Sequence, residues 1–436
     1  MALTRTGDKR GGCYHCGSPD HRARNCPVAV CRICGQVGHD KGGCPLKPLS
    51  PVDLGRFQAL DEFESLPMKR DDGFTYIELF CGMGGFRVAL DKFNGKCVFA
   101  SEVDRFCRRN YEKNFGDIPA GDITRISTEH IPNRFDILVG GFPCQPFSSS
   151  NGNRLGVDDA SGRGVLFREI VRILTEKQPR AFLIENVRGL YLIDDGHTLK
   201  LIIKELKQCG YRVKHNLLDA VNLLPQERIR LYFVGIRLDL MKIEDYKFPS
   251  LPNLKRGVED IVHDSNKSKE LEKLILNKNQ ISKVKNQKYT LKYPEARFLS
   301  DRTRPAKTIQ SSYMKYMVGS QFISAGGDEW RRFSSREVAR LQGFPESFEL
   351  CKERAHHMIG NAVSPPIIAV LVASILQYTN MCKDSNIPLE TWGWEVTKSM
   401  LIEAAPNDSR KRNLERKLTA VSFIDSFTGK RKSRCV

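Results

Sequence analysis

The chain has 436 residues, enough for more than one domain, and its 40% hydrophobic share supports a sizeable core. A formal net charge of +18 favours a polyanionic partner such as nucleic acid over a small acidic metabolite. No apolar run approaches the roughly 18 to 20 residues of a bilayer span, and MALTRTGDKR lacks the apolar region of a secretory signal, so no membrane partner is expected and the chain reads as intracellular.

In that compartment the 14 cysteines point to metal ligation or catalysis, not to a disulfide framework. Cys13, Cys16, His21 and Cys26 follow the spacing C-x2-C-x4-H-x4-C, and Cys31, Cys34, His39 and Cys44 repeat it. Each set offers three thiolates and one imidazole, a closed tetrahedral shell for a structural Zn2+ ion. Residues 1–47 hold few large apolar side chains, so metal binding, worth about 10–16 kcal/mol in comparable peptides, would fold them. These units resemble zinc knuckles. The resemblance implies contact with single-stranded DNA or RNA through Tyr14, Arg22, Arg24, Arg32 and Ile33, and it leaves protein binding open.

Residues 48–73 read as a linker, proline-rich first and acidic later. From Phe74 the pattern changes. TYIELF, VFASE, FDILVGG and AFLIENV are short apolar runs separated by helix-length stretches such as RGVLFREIVRIL and TLKLIIKELKQCG. Such alternation predicts an α/β fold with a doubly wound, mostly parallel sheet and ligands at the strands' carboxyl ends. Residues 239–300 break the rhythm, and NKSKELEKLILNKNQISKVKNQK carries seven lysines against two glutamates, either a solvated helix face or a phosphate-tracking surface. SSREVARLQGF and SPPIIAVLVASILQY restore helical periodicity within residues 301–380. The tail, 381–436, is basic; SRKRNLERK and GKRKSR point to the nucleus, although basic tails also bind nucleic acid.

In IELFCGMGGFRVAL, Gly82, Gly84 and Gly85 lie between a strand and a helix and let the backbone approach a ligand. The spacing is not G-x-G-x-x-G, which weakens a pyrophosphate reading and leaves nucleotide cofactors without a pyrophosphate open. Glu102, about twenty residues on, suits ribose hydroxyls, and Asp122 in AGDITRI suits an adenine amino group. Cys144 follows FDILVGG between Pro143 and Pro146, in a serine- and glycine-rich loop where chemistry on open sheets gathers, which makes it a candidate nucleophile.

ELFCGMGGF, GFPCQPFS, RGVLFREI, ENVRGL, QERIRLYFVGIR, RRFSSREVARLQGFP and IGNAVSPP resemble, in order, the motifs of cytosine-5 DNA methyltransferases, from about Phe74 to Tyr378. The resemblance implies a Rossmann-like fold and S-adenosylmethionine as methyl donor, bound by Phe80, Gly82, Gly84, Glu102, Asp122 and Leu166, with Asn361 nearby. It implies that Cys144 adds to carbon 6 of a cytosine flipped from duplex DNA, and that Glu185 holds ring nitrogen 3. Arg228 and Arg230 alternate on a strand, so both should face the base and its phosphate or Glu185. Residues 74–238 would then be the cofactor-binding and catalytic core, 239–300 a small target-recognition region, and 301–380 the motifs that complete the core. Glu78 stands where many relatives have aspartate. The knuckles keep a transfer-RNA cytosine-5 methyltransferase as the alternative; a catalytically silent nucleic-acid scaffold is opposed by the presence of each reactive residue.

Overall fold

The computed structural model describes residues 51–56, 73–143, 165–240, 245–251, 253–262, 269–286, 298–315 and 320–381. Both cysteine-rich units, the basic tail and Cys144 lie outside the described residues.

Strands β1 (Phe74–Leu79), β2 (Gly95–Ser101), β3 (Ile137–Gly141), β4 (Ala181–Val187), β5 (Tyr211–Asp219) and β7 (Ile229–Arg237) form one sheet in the order β2-β1-β3-β4-β7-β5. β2, β1, β3 and β4 pair in parallel, and β7 enters antiparallel between β4 and β5. The sheet is therefore mostly parallel, as the alternating pattern predicts; helix α3 (Arg105–Phe115) follows β2, and the short strands β6 (Gln226–Glu227) and β8 (Ala306–Lys307) pair in parallel outside the sheet. The chain reverses direction across the sheet between β1 and β3, which opens a crevice at their carboxyl ends.

Alternation along the strands explains the layers. Tyr76, Ile137, Val139, Leu183, Tyr232 and Val234 face one core, while Ile77, Leu79, Leu138, Phe182, Ile184 and Phe233 face the other. Each such side chain, fully buried, contributes about 1.5–3 kcal/mol. α2 (Gly85–Leu90) and α9 (Pro365–Thr379) cover the first face. α4 (Val165–Lys177) and α5 (His197–Gln208) cover the second. Pro365 and Pro366 suit the first turn of α9, where no N–H is needed, and Asn380 ends it in a left-handed conformation. Composition alone would let Ala355–Thr379 cross a bilayer, which corrects the expectation that no apolar stretch is long enough; 83% of its apolar window is buried inside the protein, as core.

Within the stretch read as a linker, the short helix α1 (Pro51–Leu54) is followed by Arg56, which exchanges backbone hydrogen bonds with Ile118 at 2.8 Å each way. Gly121 N–H donates to the Asp53 carbonyl at 2.7 Å, so this segment rests beside Asp122.

A small lobe has a core of its own, in which Leu276, Val284, Phe322 and Trp330 pack with Ile281, Phe298 and Leu299. It joins α6 (Lys278–Lys285) to the hairpin β9 (Ile323–Gly326) and β10 (Glu329–Arg331), and so draws on residues on both sides of position 300. Lys278, Lys283 and Lys285 stay exposed on α6, and the Lys285 ammonium lies 5.2 Å from the centre of the Trp330 ring.

Candidate active site

The turn after β1 forms one wall. Gly82 and Gly84 have φ of +55° and +91°, values that side-chain-bearing residues adopt with strain. A Cβ at Gly84 would meet Phe115 at 2.3 Å, whereas one at Gly82 would point into open space. Phe80, half-exposed, also takes a left-handed φ of 55°, an unusual conformation for a bulky residue and a mark of a functional turn.

Glu102 stands beside this turn. Its Oε2 accepts from the Gly82 N–H at 2.8 Å and its Oε1 from the Asp104 N–H at 2.7 Å. Burial pushes its pKa up, while these backbone donors favour the charged form. Each oxygen keeps a lone pair for a further donor such as a ribose hydroxyl. Val103, missed in the sequence, is 75% exposed next to Glu102, an apolar surface on which a purine could lie. Asp122 is half-buried on the adjoining loop, and its Oδ1 caps Thr124 at 3.0 Å. Leu166 sits half-buried beside Phe167, whose ring packs 5.6 Å from that of Phe142 at the end of β3. The open cradle at Gly82, the carboxylate at Glu102 and the apolar surface at Val103 fit an adenosyl cofactor.

Asn361 is exposed at the end of α8 (Ala355–Asn361), with its Nδ2 3.4 Å from His357 Nε2. Its position is set by Arg228. That guanidinium is buried and donates to the carbonyls of Gly360 at 3.0 Å, Ala362 at 2.7 Å and Ile309 at 3.4 Å. Gln342 Nε2 also donates to the Ala362 carbonyl, at 2.6 Å. Arg228 thus clamps the returning chain to the sheet.

Arg230 points elsewhere. Its Nε lies 3.1 Å from Glu185 Oε1, and β4–β7 pairing sets Arg230 opposite Val187. Glu185 is buried, which pushes its pKa up against the opposing pull of Arg230 and then Arg228. The two alternating arginines therefore share one region but do different work. Glu185 pairs with Gly141, three residues before Cys144. Asn186, another residue missed in the sequence, fixes that junction: buried, it donates from Nδ2 to the Phe142 carbonyl at 3.2 Å and accepts from the Val187 N–H at 2.8 Å. Its signal was a second polar residue, beside Glu185, closing the apolar run AFLI.

A family model for C-5 cytosine-specific DNA methylases matches residues 74–377, spanning both the glycine turn and Arg228's clamp. The chain belongs to the C-5 cytosine-specific DNA methylase family. It is a DNA cytosine-5 methyltransferase. The type II methyltransferase M1.ScrFI of Lactococcus lactis subsp. cremoris is 37% identical over 335 residues, covering 75% of this chain and 84% of that protein. M.HhaI of Haemophilus parahaemolyticus is 33% identical over 325 residues, covering 71% of this chain and 94% of its own length. Among solved structures, the S. pombe Dnmt2 methyltransferase shares the fold with a TM-score of 0.57 at 21% identity, covering 70% of this chain and 99% of that one. A zinc-knuckle family model matches residues 11–28, which contain Cys13, Cys16, His21 and Cys26. As a family methyltransferase, the chain uses S-adenosylmethionine.

Proposed function

We propose that this methylase acts on duplex DNA by swinging a cytosine out of the stack, with Cys144 as the covalent nucleophile and Glu185 as the acid at ring nitrogen 3. The observation that supports the reading is the β3–β4 register, which sets Gly141, three residues before Cys144 in the sequence, opposite a buried carboxyl whose proton affinity is raised. Cys144 is within about 10 Å of chain from Gly141, Glu185's partner.

The Cys144 thiolate adds to carbon 6, and the ring electrons move toward carbon 5 as Glu185 gives its proton to nitrogen 3. Arg230 holds the Glu185 carboxyl in place and stabilises it once ionised. Bound S-adenosylmethionine would supply the sulfonium methyl that carbon 5 accepts, held by Phe80, Gly82, Gly84, Glu102, Asp122, Leu166 and Asn361. Loss of the carbon-5 proton to a base then expels Cys144 and restores the aromatic ring. Unstacking the base costs a few kcal/mol (about 2–4), and lysines such as Lys278 and Lys283 can offset it through phosphate contacts.

The donor chemistry of Cys13, Cys16, His21, Cys26, Cys31, Cys34, His39 and Cys44 suits two structural Zn2+ ions. We assign the knuckles to single-stranded DNA or RNA.

Labelled methyl transfer to duplex DNA, single-stranded DNA and transfer RNA, run side by side, tests both assignments. Duplex DNA is expected to be modified fastest; modification of transfer RNA alone would make this an RNA enzyme. In the same assay Cys13→Ser and Cys34→Ser each release zinc and weaken single-strand affinity, with cofactor binding intact. Equal single-strand affinity after zinc loss would make the knuckles protein-binding devices. SRKRNLERK and GKRKSR are proposed to direct nuclear import, and unaltered localisation of a fluorescent fusion lacking both would exclude that role.

A further inference from the structure

Behind the glycine turn lies a carboxyl that the reaction does not use. Glu78, on β1, is fully buried and registers between Ala100 and Val139 of the flanking strands. Its Oε2 accepts from the Tyr111 hydroxyl at 3.2 Å, and the Phe86 backbone N–H also favours its charged form. Oε1 meets no hydrogen-bond partner among the described residues.

The nearby guanidinium is committed to other groups. Arg87 binds Asp91 at 3.1 Å and Asp117 at 2.5 Å, and it donates to the Tyr111 hydroxyl at 3.3 Å. Tyr76 donates to Asp91 at 2.5 Å, and Cys97 Sγ lies 3.5 Å from the Tyr111 hydroxyl. Cys81 stands next along the turn, and α9, packed on this face, carries no Asp, Glu, Lys, Arg or His. An anion at Glu78 would thus sit away from bulk solvent and, among the described residues, without a hydrogen-bonded cation, and burial pushes its pKa up to about 8.

Tyr111 links this carboxyl to the turn, because a Cβ at Gly84 would meet its ring at 3.2 Å. We propose that Glu78 is a positioning residue that holds the cofactor turn in shape only while it carries a proton, so that adenosyl-ligand binding weakens in alkali. When Glu78 ionises, it pulls on Tyr111 and on Arg87, which belongs to α2, and shifts the helix that begins at Gly84 and Gly85.

The inference rests on the reading of this turn as the cofactor site, and one experiment separates the two. Binding of S-adenosylhomocysteine to the full chain is measured by calorimetry from pH 6.5 to 9.5. No binding at any pH overturns the reading of the site itself. With binding present, wild-type affinity should fall about tenfold between pH 7 and 9, as the protonated fraction falls. Glu78→Gln, which mimics the protonated acid, should match wild type near pH 6.5 and stay level to pH 9. Tyr111→Phe, lacking a donor that favours the anion, should move the decline to higher pH. A wild-type profile that is flat, or one that Glu78→Gln reproduces with its decline, overturns the inference.

Discussion

Methyl transfer by the Cys144→Ala variant falls at least about 10⁴-fold, while S-adenosylhomocysteine still binds. Alanine has no lone pair to add to carbon 6, so carbon 5 stays too electron-poor to accept a methyl group. Gly82, Glu102 and Asp122 lie on loops that precede β3, so their pocket keeps its shape. Glu185→Gln should be milder, about 10²–10⁴-fold, because an amide can still hydrogen-bond nitrogen 3 but cannot give up the proton. Burial raises the Glu185 pKa, so the acid form persists to higher pH than for an exposed carboxyl; turnover falls as pH rises through that raised value, and the glutamine variant loses this alkaline limb. Single-turnover transfer and trapping with an oligonucleotide containing fluorinated cytosine check both variants. A covalent adduct formed by the alanine variant would falsify the nucleophile assignment.

The second large effect is on stability. Arg331 and Glu337 are buried, and their side chains meet through two bonds of 2.8 Å, Nη1 to Oε2 and Nη2 to Oε1. Glu337 also accepts from the Ser334 N–H at 2.7 Å, in the capping box that starts α7 (Ser335–Gln342). The pair therefore joins the last strand of the small lobe to the first helix of the returning core. Arg331→Met strands a carboxylate in the interior and should cost about 3–5 kcal/mol, lowering the melting temperature by roughly 10 °C. Arg331→Met with Glu337→Leu removes both charges and should recover a good part of that loss. Thermal unfolding followed by circular dichroism measures both, and a single variant that melts with wild type would show that the joint bears no strain.

The parallel strands were legible because each is a compact apolar run, and the runs TYIELF and FDILVGG became β1 and β3. The antiparallel entry of β7 was not, because LYFVGIR reads the same in either direction. Arg228 and Arg230 looked equivalent by spacing. Their difference depends on Ile309, Gly360 and Ala362, which lie 81 to 134 positions away along the chain and announce nothing locally. The lysine-rich stretch likewise concealed a core, because its Leu276, Ile281 and Val284 pack against Phe298, Phe322 and Trp330, which lie beyond it in the chain. At the cofactor turn the glycines were informative, since few residues other than glycine tolerate those angles, but Val103 was silent: an exposed valine in a loop has no signature until its neighbours are placed.

Because α9 seals the layer over α2 and Val363 reaches back to Gly85, the turn that begins the domain is finished by residues made much later in the chain. A chain still being synthesised, or one cut short before Pro365, has its first strand but no completed pocket. The cofactor turn is thus completed only by a chain that reaches both ends of the fold.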